Sequence, residues 1–289
     1  MKAATVLPVE AGVEKIFRRV FAAVGGPWKR ARRGRKPLRE PCEYARALFV
    51  RSFYGWSYRT AAAVLRVPRS CLHWAFKRLQ AAWVNALVEH TAAALRRSNA
   101  VECAILDSTG VSLQPAGCKR NGLPRPVWKL HALVEYAPQA HKLWFAAARA
   151  TRGNVADVVV GKALLGGAPP SELYADKAYD AEALYRLAFK RGWRVNMQQR
   201  RCCASRTGVR GRVWRSYNDE KRRKYRGRIE AAFGGFANRY ASRIAERLAG
   251  TRTCACLLWC VAHNVRTLAK TANSFIALIY WTLSGHRNE

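Results

Sequence analysis

Apolar residues recur at helical spacing through the first third of the chain. Six of them predict an opening helix that ends before Gly25-Gly26-Pro27, namely Val13, Ile16, Phe17, Val20, Phe21 and Val24. Residues 43–80 continue this helical pattern, and Ser57 is placed to cap a helix that runs to Leu65. After a tight turn at 66–68, a second helix carries an apolar face of Leu72, Ala75, Phe76 and Leu79. Residues 81–97 complete a small all-α region, to which we assign residues 1–98.

The pattern changes to strands after residue 98. Three apolar runs predict an antiparallel meander, with strands at 102–107, 127–136 and 142–148. Helices and strands then alternate, in the order helix 154–165, strand 173–176, helix 180–191 and strand 193–197. Residues 199–224 show no clear periodicity, and the helical remainder has predicted breaks near 250–251 and 272–273. The fold class predicted for residues 99–289 is therefore α/β, with a mixed sheet flanked by helices.

The charge of the chain points to a polyanionic partner. Lys and Arg number 52 against 18 Asp and Glu, which gives a formal net charge of +34. Neutralisation of phosphates dominates nucleic-acid affinity, so nucleic acid is the first-choice ligand. An acidic membrane surface is a weaker alternative, because no basic amphipathic tail stands apart and the apolar stretch 275–283 is about half of a membrane span. Nine cysteines without a disulfide-like framework favour a reducing compartment, and we expect a cytoplasmic, nucleoid-associated protein.

Two basic features of the N-terminal region are candidate DNA contacts. The first is an arm at 29–37 that includes Arg32, Arg33, Arg35 and Lys36. The second is the helix pair around residue 67, which has the arrangement of a helix-turn-helix. Its candidate contacts are Arg59, Arg69, Ser70, His73 and Lys77. A solvated linker and an ordinary helical hairpin are the alternatives.

Three acids have a placement typical of metal-dependent phosphodiester chemistry. Asp107 and Asp176 each close an apolar strand, and Glu230 lies in a strongly helical stretch. Carboxylates that converge from different elements can hold the divalent ions that stabilise a phosphodiester transition state. Arg226, one helical turn before Glu230, could orient that carboxylate or hold a phosphate. Taken singly, the three acids could instead start a turn, cap a helix and form a surface ion pair.

At these residues the chain resembles the DDE transposases of insertion sequences. The similar segments are 105–110 and 174–180 around the two aspartates, 226–233 around the glutamate, 127–131 with its Lys-x-His element, and the His-Asn element at 263–266. Two positions depart from the family pattern. Arg223 stands where many relatives have tyrosine, and no lysine lies seven positions beyond Glu230. The short spacing between Asp176 and Glu230 leaves no room for a large insertion domain, and in this the chain resembles the compact subgroup of the family.

The resemblance implies a ribonuclease H-like catalytic core and Mg²⁺-dependent cleavage and strand transfer, with Mn²⁺ as a possible substitute. It implies that Asp107, Asp176 and Glu230 are catalytic metal ligands, and that Lys129, His131, Arg226 and Asn264 support them or bind phosphate. The implied partners are terminal inverted repeats and target DNA, bound by a homodimer or larger complex. A stand-alone ribonuclease H-like nuclease and an inactive DNA-binding derivative remain alternatives.

Overall fold

The computed structural model describes residues 8–29, 37, 39–113, 119–120, 123–124, 128–240, 243–244, 246 and 248–284. The basic arm, with Arg32, Arg33, Arg35 and Lys36, lies outside the described residues.

Five helices form the described part of the N-terminal region, as the sequence predicted. They are α1 (Pro8–Val24), α2 (Pro41–Tyr54), α3 (Tyr58–Leu65), α4 (Arg69–Arg78) and α5 (Ala81–Ser98). The hydroxyl of Ser57 accepts a hydrogen bond from the Thr60 backbone N–H at 3.0 Å, which confirms the predicted cap of α3. Gly55 ends α2 with φ 67°, a left-handed conformation that glycine adopts without a steric penalty.

The second part of the chain builds a sheet with helices on both faces. Its strands are β1 (Cys103–Leu113), β2 (Lys119–Arg120), β3 (Leu123–Pro124), β4 (Trp128–Ala137), β5 (Lys142–Arg152), β6 (Glu172–Ala175), β7 (Arg194–Met197) and β8 (Arg243–Ile244). Its helices are α6 (Asp157–Leu164), α7 (Glu182–Lys190), α8 (Gly208–Ser216), α9 (Asp219–Tyr240) and α10 (Ala249–Ser284). The main strand order is β5-β4-β1-β6-β7, β8 pairs with the end of β1, and β2 pairs with β3 in a separate ribbon.

The sheet is mixed, as predicted. Strand β4 is antiparallel to both β1 and β5, whereas β1, β6 and β7 run parallel. Alternate residues of β1 face two different helix layers: Cys103 and Ile105 pack with α5, α9 and α10, while Ala104 and Leu106 pack with α6 and α7. The fold class is therefore confirmed as a helix-flanked mixed α/β sheet after an all-helical region, consistent with a ribonuclease H-like fold.

The structure corrects three details of the sequence prediction. Strand β1 does not turn at Ser108-Thr109-Gly110, because residues 108–111 pair with β4 and the strand runs on to Leu113. The stretch 199–224 is not irregular: it contains α8, whose Val213 is fully buried, and the start of α9. Helix α10 continues through residues 272–273, where a break was predicted.

The N-terminal helices and the sheet share one hydrophobic cluster. Helix α5 packs against α10 and β5, and α2 packs against α10. The Arg51 guanidinium also reaches across to Glu246, with 3.0 Å between Nη1 and Oε1. The domain boundary at residue 98 stays a prediction. Within the described part of the chain, no helix combines the length and apolar character needed to cross a membrane.

Candidate active site

Asp107, in the middle of β1, lies beside Asp176, which directly follows the last residue of β6. Leu106 pairs with Ala175 in the parallel register of β1 and β6, and each aspartate follows its member of that pair. Both carboxylates are held by the next residue of the chain. Asp107 Oδ1 accepts the Ser108 N–H at 2.8 Å, and Asp176 Oδ1 accepts the Lys177 N–H at 2.8 Å. Asp176 thereby caps the short 3₁₀ helix Lys177–Tyr179.

Arg226 connects Glu230 to this pair of aspartates. Helix α9 packs against β1 and β6, and its Arg226 lies between Asp107 of β1 and the helix's own Glu230. Arg226 Nη1 is 2.7 Å from Glu230 Oε1, and Nη2 is 3.7 Å from Asp107 Oδ2. The Glu230 side chain is 63% exposed, whereas that of Asp107 is 16% exposed. The three acids named from the sequence therefore share one neighbourhood, and Arg226 is on the predicted face of its helix.

Burial and neighbouring acids make the Asp107 carboxylate costly to ionise. Burial raises the pKa of Asp107, and the nearby carboxylates of Asp176 and Asp157 add to that rise. The Ser108 N–H and the Arg226 guanidinium act in the opposite direction, but the net pKa remains raised. Any positive charge brought between the two strand-borne aspartates would relieve this repulsion.

The described residues contain no ready-made group of three or more histidine, cysteine or acidic side chains that could hold a metal. Geometry explains this for the three acids, because the Glu230 carboxylate is turned to Arg226 on the helix surface. Two aspartates are adjacent, while the glutamate is linked to them through a guanidinium. The arrangement supplies hard oxygen donors from three elements without bringing them to a common point.

Asp157 is a fourth acid near the site that the sequence analysis missed. It opens α6, where its Oδ1 accepts hydrogen bonds from Ser108 Oγ at 2.7 Å and from Lys129 Nζ at 3.0 Å. His131 Nδ1 also lies 3.2 Å from this oxygen. Burial acts to raise the pKa of Asp157, but the neighbouring His131, Ser108 and Lys129 side chains outweigh it and hold the pKa well below its usual range. The sequence did place Asp157 in the first turn of a predicted helix, a position that favours an acid. It did not show which strands that helix packs against, so the contacts of Asp157 could not be predicted.

Lys129 and His131 occupy the opposite face of the sheet from Arg226. In the register of β1 and β4, Ser108 pairs with His131 and Gly110 with Lys129, and all three polar side chains meet Asp157 under α6. His131 is fully buried, and its Nε2 is 2.8 Å from Thr151 Oγ1. The structure thus gives the Lys-x-His element an acidic partner, and its contact with phosphate stays a prediction.

Asn264 lies in the core, away from the acids. Its side chain, carried by α10, is fully buried. It bonds backbone groups of the edge strand β5 that have no neighbouring strand on that side in the described part of the chain. Oδ1 accepts the Phe145 N–H at 2.9 Å, while Nδ2 donates to the Phe145 carbonyl at 2.8 Å and to Thr91 Oγ1 at 3.0 Å. A direct phosphate contact would require this side chain to leave the core, so its supporting role stays a prediction.

The helix pair α3 and α4 exposes the polar face that the sequence predicted. Leu72, Ala75, Phe76 and Leu79 are buried, and all five candidate contacts are exposed: Arg59, Arg69, Ser70, His73 and Lys77. The His73 ring stacks on Tyr58, with 3.9 Å between ring centroids. Burial lowers the pKa of His73, and the cations of Arg51 and Arg69 lower it further, so this side chain is held towards its neutral form.

A known protein family matches the part of the chain that carries these residues. A family model described as "Transposase DDE domain" matches residues 101–265, more than half of the chain. The match begins just before β1 and ends within α10, so it contains the two strand-borne aspartates and the helix that carries Glu230. No curated protein sequence matches the chain. With its helix-flanked mixed sheet and this match, the chain belongs to the transposase DDE domain family.

Proposed function

We propose that the protein is an insertion-sequence transposase that binds the ends of its element and catalyses metal-dependent cleavage and strand transfer of DNA. The family match supports the general part, a transposase-type DNA-cleaving function. One observation supports metal-dependent cleavage and strand transfer in particular. The register of β1 and β6 sets Asp107 beside Asp176, and Arg226 links Asp107 to Glu230. Three acids from distant parts of the chain thereby share one neighbourhood beside the carboxyl end of β6.

The donor set fits magnesium, with manganese able to replace it. Asp107, Asp176 and Glu230 would hold the metal through carboxylate oxygens, the ligands that hard divalent cations prefer. The raised pKa of Asp107 beside two other acids marks a position where added positive charge is favourable. Divalent ions held there would stabilise charge on the attacking and leaving oxygens of a phosphodiester.

The chain's own residues would orient this chemistry. The Ser108 and Lys177 N–H groups would each hold one carboxylate oxygen, Oδ1 of Asp107 and Oδ1 of Asp176, in a fixed orientation. Arg226 would keep Glu230 close and partly neutralise Asp107 until DNA arrives. Asp157 would hold Ser108 and Lys129 in place from the other face of β1. No covalent bond between protein and DNA is required by this arrangement.

DNA binding is assigned to the exposed polar face of α4, together with the basic arm. Arg69, Ser70, His73 and Lys77 share that face, and Arg59 extends it from α3. The formal charge of +34 supports broad phosphate contact. Because an element has two ends, we expect a homodimer on double-stranded DNA, with terminal repeats and target both bound. The functional split into residues 1–98 for binding and 99–289 for catalysis follows the same assignment.

The test is cleavage and joining of a labelled oligonucleotide taken from the element's own flanks, in Mg²⁺ or Mn²⁺. The variants are Asp107→Asn, Asp176→Asn and Glu230→Gln. Glu220→Gln is the matched control, because it removes an exposed acid from the same helix α9. We expect the first three to lose both steps while retaining DNA binding, and the control to keep wild-type rates.

Other outcomes would replace the proposal. Cleavage without joining by the wild-type protein would favour a stand-alone nuclease. Binding of the ends without cleavage by the wild type would favour an inactive derivative. Full activity in one of the three variants would remove that residue from the metal site.

A further inference from the structure

A cavity opens beside Asp176 on the side away from Asp107. It measures about 720 Å³ and is lined by two short segments, residues 176–178 and 198–202. Their proximity follows from the sheet, since Ala175 pairs with Met197 in the parallel strands β6 and β7. Both segments therefore follow the carboxyl ends of neighbouring strands, and they form the two walls of the cavity. We refer to it as the β6–β7 cleft.

A buried acid ties the two walls of the β6–β7 cleft together. The Asp180 side chain is 0% exposed and accepts hydrogen bonds from the Arg200 N–H at 2.7 Å, Arg210 Nη1 at 2.7 Å and the Tyr185 hydroxyl at 2.8 Å. Arg200 Nε then donates to the Lys177 carbonyl at 3.0 Å. Arg200 thus joins the two walls, because its backbone N–H is bonded to the buried Asp180 carboxylate and its guanidinium to the Lys177 carbonyl.

The chemistry of the lining suits the backbone of a nucleic acid. Asp176 is the only acid among the lining residues, against three cations. Lys177 and Arg201 are exposed, and their side chains make no ion pair within the described part of the chain. Gln198 is also exposed and makes no hydrogen bond there, so its amide offers a free donor and a free acceptor.

We propose that the β6–β7 cleft binds the DNA strand adjacent to the scissile phosphate, with Lys177 and Arg201 each on a backbone phosphate and Gln198 on a sugar or base edge. The proposal rests on the proposed function, because it takes Asp176 as the mark of the reaction centre. The cleft's volume lies within the range of roughly 300–1,000 Å³ typical of ligand sites. It would fix how far the strand extends past the acids and so set the position of the cut.

The test couples changes in the protein to changes in the DNA. Binding of the element-end oligonucleotide is measured in the Asp107→Asn background, so that cleavage is not needed for the readout. Single methylphosphonate linkages, which carry no charge, are placed one at a time around the cut. We expect one or two positions to weaken binding roughly tenfold to a hundredfold, as loss of a charge-assisted contact does. In Lys177→Ala/Arg201→Ala these same positions should have no further effect.

The matched control is Lys190→Ala/Arg191→Ala, which removes the same charge from exposed residues at the opposite end of α7. Both double variants should bind more weakly, but only the cleft variant should abolish the position-specific effect. Gln198→Ala should leave the salt dependence of binding unchanged, whereas the cleft double variant should lower its logarithmic slope by about 2.

Two failures can be told apart. If every methylphosphonate acts equally on the wild-type and cleft variants while DNA still binds, the β6–β7 cleft does not hold the strand. If the coupling appears but the protein with intact acids never cleaves in Mg²⁺ or Mn²⁺, the cleft assignment stands and the catalytic proposal fails.

Discussion

Replacing Asn264 by alanine should destabilise the fold without acting on the reaction centre. The variant leaves both the N–H and the carbonyl of Phe145 without a partner in a fully buried place, while Thr91 keeps its bonds to the carbonyls of Leu87 and Val88. Each unsatisfied buried group costs about 1–3 kcal/mol, so the free energy of unfolding should fall by about 4 kcal/mol. That is a large part of the 5–15 kcal/mol typical of a folded domain.

The assay is thermal unfolding, followed by DNA cleavage well below the variant's midpoint. A loss of this size should lower the melting temperature by roughly 10 °C. The matched control is Asn154→Ala, an exposed asparagine without a hydrogen bond in the described part of the chain, which should melt like the wild type. Wild-type stability together with lost cleavage in Asn264→Ala would refute this reasoning and would indicate that Asn264 acts in the reaction itself.

Three further predictions concern charged side chains. Asp157→Asn should slow cleavage roughly 10- to 100-fold with DNA affinity unchanged, as loss of an outer support typically does; unchanged rates would show that Asp157 does not position the site. Because burial raises the pKa of Asp107, ionisation costs stability as pH rises through that raised value, so Asp107→Asn should unfold at higher denaturant than wild type at neutral pH without metal. The difference should disappear below about pH 4, and a persistent difference there would contradict the assigned cause. Arg96→Ala removes both bonds of 2.8 Å to the buried Glu135 carboxylate and should cost about 3–5 kcal/mol by chemical denaturation. Arg96→Met/Glu135→Gln should recover part of it, because it removes the unpaired charge and keeps an oxygen that accepts the Trp144 indole N–H.

Local patterns in the sequence predicted most elements of this fold. The helical spacing of apolar residues found α1 to α5, and the apolar runs found β1, β4, β5, β6 and β7. Ser57 was identified as a cap because capping depends only on residues three positions apart. The same reasoning failed at Ser108-Thr109-Gly110, whose turn propensity is overridden by pairing with β4.

In the candidate site, too, some residues could be predicted from local sequence and others could not. Asp107, Asp176 and Glu230 could be selected from the sequence because acids are scarce in so basic a chain, and two of them directly follow short apolar runs. Asp157 could not, since its importance lies in contacts with Ser108 and Lys129, which are 49 and 28 residues away along the chain. The exposed amide of Gln198 and the buried clamp at Asp180 likewise acquire meaning only where β6 and β7 lie side by side.

The sequence by itself determined the elements, the basic character of the surface and the choice of the three acids, because these depend on near neighbours and on composition. The tertiary structure decided which face of the sheet each side chain meets. Asp107 faces Arg226 under α9, whereas the next residue, Ser108, faces Asp157 under α6. Such assignments depend on strand register and helix packing between distant segments, where a shift of one residue would exchange the two faces.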